Sequence, residues 1–300
     1  MSEVNYFKAT EIAKRSWMIE YAFTDREHVY CYLVEGRDCA LLIDTMYGYG
    51  SLKAFCETLT DRPVKLVLTH FHLDHVAGNA EFGSCYMHHL DIANYLDSKL
   101  PPQEAMLAHA KEEAFPEIAG KMELSDMVPF APVLTYPLYD GDLLDLGDRT
   151  IEVVWVGGHS AGSVAFIDKE RRIAYTGDCC NGNTLLGFGN SLPVETYMKN
   201  LLHFKHYQKD FDMMYGGHQV LPPTVIDEGI ELCARVIAGT DDKEEVQGLH
   251  GRTAIYAAKH GNSPIERADG KLFNMCYKPE RILAEEKKAR VIDFQPVPMF

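Results

Sequence analysis

The chain has 300 residues, with 29 Lys and Arg against 44 Asp and Glu and a formal charge of −15. Hydrophobic residues make up 46% and charged ones 24%, ordinary values for a globular chain and unlike those of disorder. A surface this acidic repels phosphate backbones and anionic lipid, so neither nucleic acid nor membrane is expected as a partner. The longest apolar runs, Cys39 to Ile43 and Ile151 to Val156, are strand-sized and far short of the roughly 20 residues of a membrane span. The chain begins Met-Ser-Glu-Val-Asn-Tyr, with neither a basic n-region nor an apolar h-region, so a cytoplasmic protein is expected. Eight cysteines form no CxxC pair and read as reduced, mostly buried thiols.

In chain order, Val29 to Glu35 and Asp38 to Asp44 are apolar, β-branched runs around Gly36-Arg37, the pattern of a hairpin. Ser51 to Leu59 carries Leu52, Phe55 and Leu59 at helical spacing, and Pro63 closes that helix. Val64 to Leu68 is a continuous apolar run, the mark of a strand covered on both faces. Residues 91–127 read as a helical insertion, with helices around Ile92 to Leu96, Glu104 to Ala114 and Pro116 to Met122. Strands resume at Val133 to Tyr139 and Thr150 to Val156, with turns at Asp140-Gly141-Asp142 and Leu146-Gly147-Asp148. Val164 to Asp168 and Arg172 to Thr176 form a second hairpin, and Asn181 to Asn190 a Gly/Asn-rich loop. Then come a helix at Thr196 to Tyr207, a strand at Phe211 to Tyr215 and a helix at Val225 to Ala238. A polar turn at Asp241 to Glu245, a late strand at Lys271 to Tyr277 and a charged helix around Leu283 to Arg290 complete the reading. No repeat or linker divides the chain. A single α/β domain over 1–300 is expected, with the insertion at about 91–127 and a C-terminal extension at about 224–300.

The chemistry concentrates in Thr69-His70-Phe71-His72-Leu73-Asp74-His75, which follows a buried strand and leads into a helix. Three imidazoles and a carboxylate within six residues suit zinc, iron or manganese. His70 and His72, two residues apart, point the same way while the chain stays extended; Asp74 and His75 point elsewhere once it turns. One loop is thus able to serve two adjacent metals. By composition alone such an HxHxDH string arises in on the order of one chain in a thousand, so a functionless histidine cluster is disfavoured. Three further donors repeat one pattern of strand, glycine, donor: His159 in Gly157-Gly158-His159-Ser160-Ala161-Gly162-Ser163, Asp178 in Thr176-Gly177-Asp178, and His218 in Gly216-Gly217-His218.

Taken together, HxHxDH, GHSxGS, TGD and GGH resemble the motifs of the metallo-β-lactamase superfamily, over roughly Val29 to His218. That resemblance implies an αββα sandwich, two mixed β-sheets flanked by helices, with two metals at one edge. It implies that His70, His72 and His159 hold one metal, that Asp74, His75 and His218 hold the other, and that Asp178 bridges them. The commoner Thr-Pro of the second motif is here Ser160-Ala161, a change outside the donors. Asp74 distinguishes the pattern from flavodiiron relatives. His159 and Asp178 leave no place for the cysteine ligand of one lactamase branch.

Two divalent ions, zinc first with iron or manganese as alternatives, would lower the pKa of water from about 15.7 to about 7. The function implied is hydrolysis of a small ester, lactone or thioester by a metal-bridging hydroxide, with Asp74 as the catalytic residue that holds its proton. A β-lactamase, a small-molecule phosphodiesterase and an iron-dependent redox protein are the alternatives. With the ions counted the site carries about +1, so even an anionic small molecule is admitted as substrate. Nothing in the sequence sets an oligomeric state. Asp44 reads equally as a residue orienting a ligand imidazole or as a turn residue, and Cys179 as a packed thiol. Met106, Leu107, Phe115, Met122 and Met127 read as insertion core, with an apolar substrate pocket as the alternative. Leu185, Leu186 and Phe188 are placed to face such a pocket. Tyr256 is a weak candidate for stabilising an oxyanion.

Overall fold

The structure is a computed structural model, and it describes residues 4–26, 28–99, 101–247, 253–262 and 266–284. Its first sheet has seven strands in chain order: β1 (Phe7–Ala13), β2 (Ser16–Tyr21), β3 (Tyr30–Glu35), β4 (Ala40–Ile43), β5 (Val64–Val67), β6 (Ser84–His88) and β7 (Leu134–Leu138). The first four pair antiparallel and the last four parallel, so the sheet is mixed. The second sheet has the order β14-β13-β11-β10-β9-β8, from β8 (Leu143–Asp145), β9 (Thr150–Trp155), β10 (Val164–Asp168), β11 (Ile173–Gly177), β13 (Met213–Gly216) and β14 (Val220–Leu221). A third, four-stranded sheet joins β12 (Thr184–Leu186), β17 (Met275–Tyr277), β16 (Thr253–Tyr256) and β15 (Glu244–Gln247).

Alternation along the strands builds the layers. In β3, Val34 faces the second sheet while Leu33 faces the helices; in β9, Val153 and Val154 divide in the same way. The layer between the sheets holds Tyr32, Val34, Leu41, Ile43 and Val67 against Ile151, Val153, Val164, Phe166 and Tyr175. Outside the first sheet lie α1 (Leu52–Leu59), the four-residue α2 (Leu73–Val76), α3 (Ile92–Leu96), α4 (Gln103–Glu113) and α5 (Pro116–Ala119). Leu52 and Cys56 of α1 and Met106 and Ala110 of α4 pack there against Leu33, Leu42 and Leu66. Outside the second sheet, α6 (Val194–Lys205) and α7 (Val225–Ala238) cover Val154, Ala165 and Met214. The layering is helix, sheet, sheet, helix, as the sequence motifs imply.

At the end of β9 and β10 away from the predicted donors, Arg149 joins the two sheets. Its guanidinium, fully buried, donates to Asp168, to Ser16 Oγ at 2.6 Å and to the carbonyls of Arg15 (3.0 Å) and Glu35 (3.3 Å). Breaking such a buried pair typically costs about 3–5 kcal/mol.

Several elements differ from the sequence reading. The β1–β2 hairpin precedes the first strand that the pattern marks. β6 lies in a short stretch whose apolar residues, Cys85 and Met87, are too few to stand out. The predicted loop 181–190 contains β12, and the predicted polar turn at 241–245 runs into β15. These short or polar strands are stabilised by pairing in the third sheet and not by their own pattern. Of the charged helix proposed around 283–290, residues 285–290 lie outside the described residues. No helix among the described residues is long and apolar enough to cross a membrane.

Candidate metal centre

All the predicted donors gather at one edge of the sandwich. Parallel pairing sets Ile43 of β4 opposite Val67 of β5, so Asp44 and the His70 loop leave the sheet side by side. In the second sheet, Gly177 of β11 is paired in parallel with Gly216 of β13, which brings Asp178 and His218 to the same edge. β9 ends there as well, opposite the start of β10, and carries His159 four residues beyond Trp155. Bonds across the sheets lock the edge: Val164 N to Thr69 O at 2.9 Å, Tyr30 N to Gly217 O at 2.8 Å and Tyr32 Oη to Gly216 O at 2.5 Å.

The glycines are required by closeness. A Cβ at Gly177, whose φ is +47°, would lie 2.3 Å from Thr69 Oγ1. One at Gly217 would lie 2.5 Å from the His75 ring.

Two groups of donors form. His70, His72 and His159 converge within 4.8 Å, as do Asp74, His75, Asp178 and His218. His72 Nδ1 and His159 Nε2 are 2.8 Å apart. Asp178 Oδ2 lies 3.6 Å from His159 Nε2, 3.4 Å from His218 Nε2 and 3.7 Å from His75 Nε2. It is therefore within reach of both groups. Asp74 Oδ2 is 3.1 Å from His218 Nε2.

Outer partners aim the rings. His75 Nδ1 is 2.8 Å from Asp44 Oδ2, His159 Nδ1 2.9 Å from Leu185 O, and His218 Nδ1 2.7 Å from His28 O. His70 Nδ1 donates to Thr69 Oγ1 at 3.1 Å, whose hydroxyl donates on to Asp44 Oδ2 at 2.7 Å. With Nδ1–H committed outward, each Nε2 presents its lone pair inward. His72 is the exception: it presents Nδ1, and Asn190 Nδ2 lies 3.5 Å from its Nε2. Asp44 thus resolves as an orienting residue. It is buried, holds φ at +66° and is bound by Thr69 N, Thr69 Oγ1 and His75, contacts that sustain a conformation rare for a side-chain-bearing residue.

These donors fit metal ions. His70 Nε2, His75 Nε2 and Asp178 Oδ1 are buried and have no hydrogen-bond partner, the condition of ligand atoms aimed at a cation. The groups also differ electrically. Burial pushes the first group toward neutral imidazole, with His72 lowered to about 3 and His70 and His159 lowered as well. In the second, burial opposes protonation of His75, but Asp74, Asp44 and Asp178 overcome it and raise its pKa to about 10. Asp74 is lowered to about 2: the charges and hydrogen bonds of His75 and His218 outweigh its burial. The second group holds a deficit of positive charge that protons satisfy and that a divalent ion would satisfy instead.

Residues outside the predicted set complete the site. Asp91, fully buried at the end of β6, accepts from Ser160 Oγ at 2.5 Å and Gly162 N at 2.7 Å, and also from the Phe71 backbone. It fastens the His70 loop to the His159 loop. Its signal, a carboxylate just past a strand, is visible only once β6 is known. A cavity of about 520 Å³ opens over the donors, and Leu73, Asn181, Asn183, Leu185, Phe188 and Gln219 line it. The pocket alternative for the insertion is corrected: none of Met106, Leu107, Phe115, Met122 and Met127 lines this cavity. The three methionines are buried in the core of the first sheet, because an apolar side chain gains more by packing there than by lining a wet cleft. Leu186 is buried too, while Leu185 and Phe188 do face the cavity. Tyr256 is not in the cavity wall: it stacks edge-on to His260 at 4.5 Å and meets the side chain of Asn183, which does line the cavity, while Cys179 packs in the outer apolar cluster.

The pattern of the metallo-beta-lactamase superfamily matches residues 24–179, more than half of the chain. The chain belongs to that superfamily. Human acyl-coenzyme A thioesterase MBLAC2 is 27% identical over 182 residues, 57% of this chain and 64% of that protein. Hydroxyacylglutathione hydrolase GloC of Haemophilus influenzae is 29% identical over 113 residues, 38% of this chain and 48% of its own length. The chain thus spans less than two thirds of these relatives. Among solved structures, a metallo-beta-lactamase from Pontibacter korlensis aligns with TM-score 0.53 and 16% identity, over 75% of this chain and 97% of that one. The metallo-beta-lactamase FIM-1 from Pseudomonas aeruginosa, in a mono-zinc form, aligns with TM-score 0.54 and 16% identity, over 76% and 94%. At such identities the likeness is one of fold.

Proposed function

We propose that the chain is a metal-dependent hydrolase of small thioesters. The observation that carries the proposal is the pair of donor groups sharing Asp178 on the floor of the cavity. His70, His72 and His159 would hold one ion, and Asp74, His75 and His218 the other, with Asp178 between them. Zinc suits this mixture of imidazole and carboxylate, and iron and manganese suit it as well. Two such ions would supply Lewis acidity toward the substrate carbonyl and an acidified water.

The chain's own residues do the rest. Outer hydrogen bonds hold the rings in place before substrate arrives, so little reorganisation accompanies the reaction. The Asp74 carboxylate faces the cavity and is the group placed to accept and hold a proton from the attacking water. Thioesters are favoured among carbonyl substrates by two relatives whose names denote cleavage of acyl-coenzyme A and hydroxyacylglutathione. The net charge of −15 supports a small-molecule substrate and opposes a nucleic-acid one.

The test is turnover by protein loaded separately with zinc, iron or manganese, its metal content measured. The substrates are an N-acetylcysteamine thioester, a lactone, a cephalosporin and a phosphodiester. Preferred thioester cleavage that chelation abolishes is expected. Preference for another substrate, or oxygen consumption by the iron form without hydrolysis, would overturn the reading.

A further inference from the structure

We propose that Leu185 and Phe188 form the subsite for the acyl group of the substrate, and that they select uncharged, apolar acyl groups. The assignment rests on the thioester reading and adds the part of the molecule that is recognised.

Phe188 is 42% exposed, while most phenylalanines of the chain are packed in the cores. A large ring left in water at the wall of a cleft is an apolar surface awaiting a partner. Its centroid is 4.9 Å from that of His72 and 5.6 Å from that of His159, both in the all-histidine donor group. A carbonyl presented to that group therefore has its carbon chain beside the Phe188 ring. Leu185 lies on the same wall, and its carbonyl orients His159, so the apolar surface and the donor are parts of one construction.

The loop that carries Phe188 is held on several sides. Ser191 Oγ donates to His159 O at 2.8 Å and accepts from Phe188 N at 3.2 Å, and Arg281 donates to Gly189 O at 3.0 Å. The ring's place is thus preformed. Among the described residues, no Lys or Arg lines the cavity, whereas Asp74 and Asp178 do. A carboxylate at the far end of the acyl chain would find no side-chain cation to pair with, and lying against the Phe188 ring would cost it hydration. Besides Leu73, the remaining wall is carboxamide, from Asn181, Asn183 and Gln219, which leaves that side for the polar thiol portion.

The experiment compares kcat/KM for acetyl, butyryl, hexanoyl and succinyl thioesters of N-acetylcysteamine in the metal-loaded protein. A rise of about threefold per added methylene is expected, near what burying a methylene yields, with succinyl at least tenfold below butyryl. In F188A the ratio of hexanoyl to acetyl kcat/KM should fall about tenfold at unchanged metal content, and F188L should restore most of it. A ratio unmoved by F188A, or succinyl preferred over butyryl, overturns the assignment. Calorimetric binding of acetohydroxamate and hexanohydroxamate to the same proteins reads the subsite without turnover. Tighter binding of the longer chain, lost in F188A, supports the subsite even where no thioester is cleaved, and that outcome would sink the hydrolase reading alone. Equal binding of both chains overturns the subsite.

Discussion

The two sheets furnish the same edge with donors in different ways. The first supplies four, His70, His72, Asp74 and His75, from one loop of six residues after β5. The second supplies three, His159, Asp178 and His218, from the ends of β9, β11 and β13. In the first case local backbone geometry sets the spacing. In the second, strand register sets it, and the parallel pairing of Gly177 with Gly216 brings together residues forty positions apart in sequence. The first arrangement is a motif; the second exists only in the folded sheet. The two sets meet at His72 with His159 and at Asp74 with His218, and Asp178 is the carboxylate that lies under 4 Å from members of both donor groups.

The sharpest test of that joint is Asp178→Ala. Turnover should fall by about a thousandfold or more and the chain should hold fewer than two metals. Two bound metals with full activity would show that the halves do not depend on a shared carboxylate. Next come His72→Ala and His218→Ala, one in each group. Elemental analysis should find about one metal per chain in each, and loss of both ions in either variant would mean that the groups bind as one unit.

A smaller effect is expected from the residues that support the donors. Asp44→Asn leaves every donor in place but removes the acceptor that fixes the His75 tautomer and takes the Thr69 hydroxyl. Metal affinity should drop by about 10–100-fold, as for other outer partners of ligand histidines. Unaltered affinity in a chelator competition would refute the orienting role.

Asp91 is the counterpart that ties the second sheet's loop to the first. Burial pushes its carboxyl up to about 6, against the pull of hydrogen bonds from Ser160, Gly162 and Phe71. A raised pKa means that the folded state holds the proton more tightly than the unfolded chain does, whose value is about 3.9. The stability this linkage contributes is complete below about pH 4 and is lost as the pH rises through about 6. In Asp91→Asn that dependence should vanish. Urea midpoints of variant and wild type, measured across that range, should diverge in their pH slope; parallel profiles would show that Asp91 does not titrate there.

Most of the site was legible because its chemistry is local. HxHxDH compresses four donors into one string, and glycine beside each later donor marks a close approach, as Gly177 against Thr69 and Gly217 against His75 demonstrate. Asp44 was half legible: it ended a strand, but its partners are 25 and 31 residues away. Asp91 was not legible, because β6 is too short to announce itself and two partners of Asp91, Ser160 and Gly162, lie in a loop of the other sheet. Nor was the third sheet, whose strands β12, β15 and β16 are short or polar and exist only as paired strands.

By itself, then, the sequence determined which donors are available and which faces of the main strands are apolar. Those follow from residue type and from the period of two along a strand. Only the tertiary structure decided which donors meet, which carboxylates aim them, and that the cavity wall is Leu185 and Phe188 and not the methionines of the insertion. Those outcomes depend on strand register and on competition for buried area, and both are properties of the assembled layers.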